Sequence, residues 1–234
     1  FLRTHGFDRI LGRSELVAQS AEPLNLSPWG VHDDDLFARA LSEIEALEAA
    51  GEPYFLSLLT LDTHHPEGFP SSRCKLAPGE ATMRRALRCS DQQIADFIRK
   101  LRAREGGEDT LIAVFSDHLA MRNSLWESLR LKGGERRLLF MLLNAKQGAG
   151  QDGASVNTPI THYEIGPTLL EAAGAASEVR IGFGESAFAV AAASDAGRDL
   201  RNLSIPRYAE PAGNLNLADS HLIIDSSALV IKVG

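Results

Sequence analysis

The sequence predicts an α/β fold in which helices cover a mainly parallel sheet. Two apolar runs and the periodic segments around them carry that expectation. Pro53–Leu61 and Asp109–Ser116 are nearly continuous apolar stretches of strand length, the pattern of strands buried on both faces. Asp33–Ala50, Cys89–Arg102 and Tyr163–Ala173 space their apolar residues as helices do. Strand–helix–strand alternation of this kind implies parallel strands joined by helical crossovers.

Each element has its own signals. Asp33, Asp34 and Asp35 open the first helix, where acids cap and favour the positive end, and Gly51 stops it. Leu36, Phe37, Ala40, Leu41, Ile44 and Leu47 form its apolar face. The polar loop Asp62–Pro70 follows the first strand directly. Ser90 is placed to cap the next helix, whose face is Ile94, Phe97, Ile98 and Leu101. The second strand runs straight into Asp117-His118. Leu138–Leu143 is a third strand candidate, and the loop Thr158–Thr161 leads into the last helix, stopped by Gly174. Beyond Ala175 the pattern weakens. His221–Asp225 and Ala228–Val233 are expected to pair as a terminal hairpin, which divides the chain into a main domain, 1–190, and an extension, 191–234.

The 234 residues, 44% hydrophobic and 24% charged, suit one globular α/β domain that buries its core without staples. A net charge of −7 argues against non-specific nucleic-acid binding. No apolar run reaches membrane-spanning length, and no signal peptide is visible. The chain begins at Phe1 within Phe1–Asp8, which reads as the middle of a domain, so a longer parent protein is expected. Cys74 and Cys89 are close enough in sequence to be a disulfide, part of a metal site, or unrelated buried thiols.

Chemistry concentrates after the two apolar strands. Sites in open α/β sheets form beyond the carboxyl ends of the strands. Ser116-Asp117-His118 sits at such an end, and its carboxylate and imidazole suit Mn²⁺ or Zn²⁺, and Mg²⁺ less well. The same residues also read as a strand-to-loop turn. His64-His65 holds the equivalent place after the first strand. There an imidazole can donate to a phosphate oxygen, or simply face solvent. Arg122 is either a solvated side chain or a contact for phosphate or glycerol, and Arg84, Arg85 and Arg88 form a basic helix or loop face. His5, His32 and His221 lack a matching partner in the sequence and read as surface or locally bonded residues. His162 reads as a cap and Trp29 as core or a plug at a sheet edge.

Leu61-Asp62-Thr63-His64-His65-Pro66-Glu67-Gly68-Phe69, followed by Ser116-Asp117-His118-Leu119-Ala120-Met121, resembles the phosphoglycerol transferases of osmoregulated periplasmic glucans. More broadly it is similar to the lipoteichoic acid synthases and other sulfatase-like members of the alkaline-phosphatase superfamily. Phe1–Asp8, Trp29-Gly30 with Asp33-Asp34, Cys89-Ser90, Gly166–Leu170 and Ile181–Gly184 add to the resemblance, which covers Phe1 to Ser186.

It implies a three-layer α/β/α sandwich of the alkaline-phosphatase type, present without its N-terminal portion. Asp117 and His118 match two ligands of a catalytic divalent metal, Mn²⁺ first and Zn²⁺ or Mg²⁺ otherwise. His64 matches a catalytic histidine on the substrate phosphate, with His65 and Arg122 on the substrate side. An acidic metal ligand and a threonine nucleophile are expected upstream of Phe1. The implied reaction moves phosphoglycerol from phosphatidylglycerol to a periplasmic glucan through a phospho-threonine intermediate. The parent is then periplasmic and anchored in the inner membrane, and the chain alone is expected to be inactive. The resemblance also favours a Cys74–Cys89 disulfide, which an oxidising compartment permits. Two other readings remain. One is another enzyme of the superfamily: a lipoteichoic acid synthase-like polymerase, a phosphoethanolamine transferase or a sulfatase. The other is a non-catalytic domain that binds glucan or lipid.

Overall fold

A computed structural model describes residues 2–75, 79–131, 138–145, 160–175, 180–182, 184–192 and 228–233. In chain order, β1 (Arg9–Leu11) and α1 (Arg13–Ala18) are followed by α2 (Asp33–Ala50), β2 (Tyr54–Leu59) and α3 (Thr82–Arg102). Next come β3 (Ile112–Phe115), α4 (Trp126–Leu131), β4 (Phe140–Leu143) and α5 (His162–Ala172). The short β5 (Arg180–Ile181) and β6 (Gly184–Glu185), α6 (Ala187–Ala192) and β7 (Ala228–Val233) complete the described order. The chain divides into two compact units. The first contains Phe1–Glu105, His118–Arg137 and Leu222–Gly234, and the second Gly106–Asp117 and Leu138–His221.

In the first unit, α2 buries Leu36, Phe37, Ala40, Ile44 and Leu47, the face expected from its periodicity. It ends at Gly51, whose left-handed φ of 73° is the usual helix stop. α3 lays Met83, Ala86, Cys89, Phe97 and Leu101 inward, and Phe97 stacks on Phe37 of α2 with ring centroids 4.8 Å apart. Full burial of side chains like these contributes about 1.5–3 kcal/mol each. At the far end Arg104 reaches back to Glu45 and Glu48 of α2. α3 starts at Thr82, earlier than the periodicity suggested: arginines fill positions 84, 85 and 88 of its first turns, and Ala81 at its N-cap offers no capping side chain to mark the start. Ser90 is therefore not a cap. It is buried within the helix.

The strands depart from expectation. β7 lies between β1 and β2, and both pairings are antiparallel. β3 pairs with β4, also antiparallel, and so do β5 and β6. The α/β composition holds, but the described sheets are small and contain no parallel pair. β2 and β3 are not buried on both faces: Phe55 is 49% and Phe115 45% exposed. Side chains alternate across a strand, and the described helices do not cover both faces of these small sheets. Ala228–Val233 pairs with β1 and β2, while its expected hairpin partner, 221–225, lies outside the described residues.

In the second unit, Asn144 takes a left-handed φ of 59° after β4 and donates Nδ2 to the carbonyls of Gly107 and Thr110. Thr161 caps α5: its hydroxyl accepts from Tyr163 N, and Glu164 reaches back to the Thr161 amide. Thr168 Oγ1 accepts from the Ala187 amide at 2.8 Å and so fixes α6 against α5.

Cys74 and Cys89 are joined as a disulfide, with Cα atoms 5.9 Å apart. The bond ties the chain after the 61–70 loop to the buried face of α3. Among the described residues no helix is long and apolar enough to cross a membrane.

Two measurements test this packing. Gly68 has φ +72°, and a Cβ there would lie 2.6 Å from the Ala86 Cβ. Gly68→Ala is expected to cost about 1–3 kcal/mol, the usual penalty of overpacking, read as a lower denaturation midpoint at unchanged slope. Free-thiol labelling of unfolded, unreduced protein should find no thiols; labelling of both cysteines would contradict the bond.

Candidate functional site

The loop after β2 is built by its own backbone. His64 N donates to Leu61 O at 2.9 Å, Gly68 N to His64 O at 3.0 Å and Phe69 N to Asp62 O at 2.7 Å. These bonds fold 61–69 into a closed turn and leave the half-buried His64 and His65 side by side, with ring centroids 4.6 Å apart. His64 also stacks on Trp29 at 3.8 Å. Its Nδ1 lies 2.8 Å from the His65 carbonyl oxygen. A carbonyl oxygen only accepts, so Nδ1 carries the proton and Nε2 is the nitrogen with the lone pair in the neutral ring. Trp29 is therefore a wall of this site rather than core.

Beneath the loop lies a buried acidic cluster. Asp33, the first residue of α2, is 0% exposed. Its Oδ1 accepts from the Leu61 and Asp62 amides at 2.7 and 3.2 Å, and its Oδ2 from the Ser90 hydroxyl at 3.2 Å. Burial, and then the neighbouring Asp62 carboxylate, push the Asp33 carboxyl up to about 7. Asp62 is also 0% exposed and accepts from His32 Nδ1 at 2.7 Å. That hydrogen bond holds the His32 imidazole above its usual pKa, with the charges of Asp62, Asp34 and Asp33 acting in the same direction and burial against them. Asp34 accepts from Ser71 Oγ at 2.6 Å, and Asp35 from the Asn25 amide at 2.6 Å. Arg73 pairs with both Asp34 and Asp35.

These contacts were not legible in the sequence. The three aspartates read as helix-capping acids and His32 as a surface or locally bonded residue, because their partners are about thirty residues or more away in the chain. The local signal was a histidine abutting three consecutive aspartates just before a helix.

Asp117 and His118 are both exposed. His118 Nδ1 lies 2.9 Å from the Leu119 carbonyl oxygen, so it donates and leaves Nε2 with the lone pair in the neutral ring. Metal-bound histidines are commonly fixed in this way. An adjacent carboxylate and imidazole are a fitting donor pair for Mn²⁺ or Zn²⁺. Among the described residues no group of three or more His, Cys, Asp or Glu is placed to hold a metal. His162, at the start of α5, donates Nε2–H to the Ser116 carbonyl at 3.2 Å, directly before Asp117 and within the second unit.

His64, His65, His118 and Arg122 all belong to the first unit and Asp117 to the second. Within the first unit, Ser124 N donates to the Pro66 carbonyl at 3.4 Å, which joins the segment after the Asp-His pair to the histidine loop. Arg122 is exposed on that segment.

The family model for Sulfatase matches residues 1–175. The chain belongs to the Sulfatase family. Among curated proteins it is similar to phosphoglycerol transferase I of Salmonella paratyphi B, Salmonella newport and Salmonella typhimurium. Each is 35% identical over 189 residues, which cover 78% of this chain and 24% of the relative. This sulfatase-family chain thus spans about a quarter of the length of the curated relatives it matches. No solved structure matches it.

The buried cluster makes stability depend on pH with a definite sign. A carboxyl raised from 3.8 to about 7 contributes most below 3.8, and that contribution is lost as pH rises towards 7. His32, also raised, acts in the same direction: its contribution is present below 6.5 and lost as pH climbs past its folded value. Asp33→Asn should therefore flatten the fall in unfolding free energy between those limits, measured by urea titration at a series of pH values. An unchanged slope would show that Asp33 titrates normally.

Proposed function

We propose that this chain is part of a metal-dependent phosphoglycerol transferase that moves phosphoglycerol from phosphatidylglycerol to a periplasmic glucan. The observation that carries the reading is the fixed His64 ring, stacked on Trp29 with Nδ1 committed to a carbonyl. A preorganised imidazole of that kind offers Nε2–H, when protonated, to an anionic phosphoryl oxygen without reorganising during reaction. Similarity to proteins named phosphoglycerol transferase I supports the choice of donor group. The complete catalytic domain is then a three-layer α/β/α sandwich with a mainly parallel sheet, held in the periplasm by an inner-membrane anchor.

Asp117 and the Nε2 of His118 would hold a divalent metal, Mn²⁺ first, with Zn²⁺ or Mg²⁺ as alternatives. When bound, it acts as a Lewis acid that lowers the pKa of an attacking hydroxyl and offsets phosphoryl charge. The nucleophile is a threonine outside Phe1–Gly234. Its oxygen attacks phosphorus, the bond to diacylglycerol breaks, and the hydroxyl proton passes to the departing oxygen. A sugar hydroxyl of the glucan then attacks the phospho-threonine, and its proton returns to the threonine oxygen. Through both steps His64 donates to the phosphoryl oxygens, His65 backs its ring, and Arg122 meets the phosphate or glycerol.

The test is release of diacylglycerol from labelled phosphatidylglycerol by the full-length protein. Asp117→Ala and His118→Ala should abolish release, and His64→Ala should lower the rate about 10²–10³-fold, the usual cost of one such donor. Phe1–Gly234 alone should release none. Release from phosphatidylethanolamine instead, or cleavage of a sulfate ester, would assign the protein to another branch of the family. Unchanged release by Asp117→Ala would refute the metal assignment.

A further inference from the structure

The segment Trp29–Asp35 lies along the 61–71 loop and holds it at successive points. The Trp29 ring covers His64, His32 Nδ1 donates to Asp62, Asp33 accepts the Leu61 and Asp62 amides, and Asp34 accepts from Ser71. The cost of this arrangement is high. Asp33 and Asp62 are both 0% exposed, and Asp62 Oδ2 has no hydrogen-bond partner among the described residues. A buried carboxylate without compensation is strongly unfavourable. His32 is the side chain that compensates Asp62, and Asp62 is two residues from His64 in a turn closed by backbone bonds at both ends. A loop that needed only to be stable would be cheaper to anchor with neutral groups.

We propose that Trp29, His32 and Asp33 are positioning residues for His64: the part-buried His32–Asp62 pair and the Asp33 clamp set the turn, and the Trp29 face sets the ring, so that Nδ1 of His64 stays on the His65 carbonyl and Nε2 faces the substrate's anionic oxygen. The proposal rests on reading His64 as the phosphoryl-side histidine. Its cost is that the cluster titrates. The charged groups facing His32 are Asp62 from the loop and Asp33 and Asp34 from α2, with Asp35 and Arg73 just beyond. Loss of the His32 proton leaves Asp62 without its charge partner and loosens the turn.

The experiment uses the full-length protein, selectively labelled with ¹⁵N-histidine, and two variants. His32→Leu keeps the volume and removes the donor. His32→Asn places an amide N–H where Nδ1–H stood. The readouts are the ring ¹⁵N shifts of His64, which report its tautomer, and kcat and KM for diacylglycerol release. His32→Leu should mix the His64 tautomers and lower kcat about 10–100-fold, by analogy with the loss of a partner that orients a metal-ligating histidine, with KM little changed. His32→Asn should restore the single tautomer and most of kcat. A folded His32→Leu protein with an unaltered His64 spectrum overturns the proposal, as does His32→Asn behaving like His32→Leu. Should His32→Leu not fold, the unmodified protein decides: the His64 shifts must show an inflection at the apparent pKa of His32, and its absence overturns the proposal. If the unmodified protein releases no diacylglycerol, the transferase reading fails, and the ¹⁵N shifts alone still decide whether His32 positions His64.

Discussion

The Asp33 carboxylate is the constraint on which the described first unit depends. It stands at the positive end of α2, where a negative charge is favoured, and accepts two amides of the turn after β2 and the Ser90 hydroxyl of α3. One buried group therefore fixes three elements relative to one another. Amide and hydroxyl donors favour the ion, but burial and Asp62 favour the acid and outweigh them. Hydrophobic stacking between Phe37 and Phe97 and the Cys74–Cys89 bond brace the same pair of helices and the chain that leaves the loop.

The histidines illustrate how backbone carbonyls assign chemistry. His64 and His118 each donate Nδ1 to a carbonyl oxygen within one residue. In the neutral form both rings are left with the lone pair on Nε2. Their surroundings differ: His64 is half-buried and stacked on both Trp29 and His65, while His118 is exposed beside a carboxylate. His162 and the Ser116 carbonyl add a further tie at the end of β3, where the Asp-His pair begins.

The chain belongs to the Sulfatase family and spans only part of the length of its curated relatives. What the described residues do hold together is the histidine loop and the side chains packed against it.

The sequence by itself determined the α/β composition, the extent and inward face of α2, the placing of both polar loops after apolar strands, and the family. Those follow from local periodicity, capping residues and short motifs, which act over a few residues. It did not determine the strand partners or the burial of β2 and β3, because a continuous apolar run is compatible with either strand direction and says nothing of what covers each face. The start of α3 was hidden by the arginines of its first turns and by an N-cap without a capping side chain. The Asp33–Ser90, His32–Asp62 and Trp29–His64 contacts span 57, 30 and 35 positions, so only tertiary packing could bring them together. Burial then changed their chemistry, turning acids that would cap a helix in water into a shared, desolvated cluster under the histidine loop.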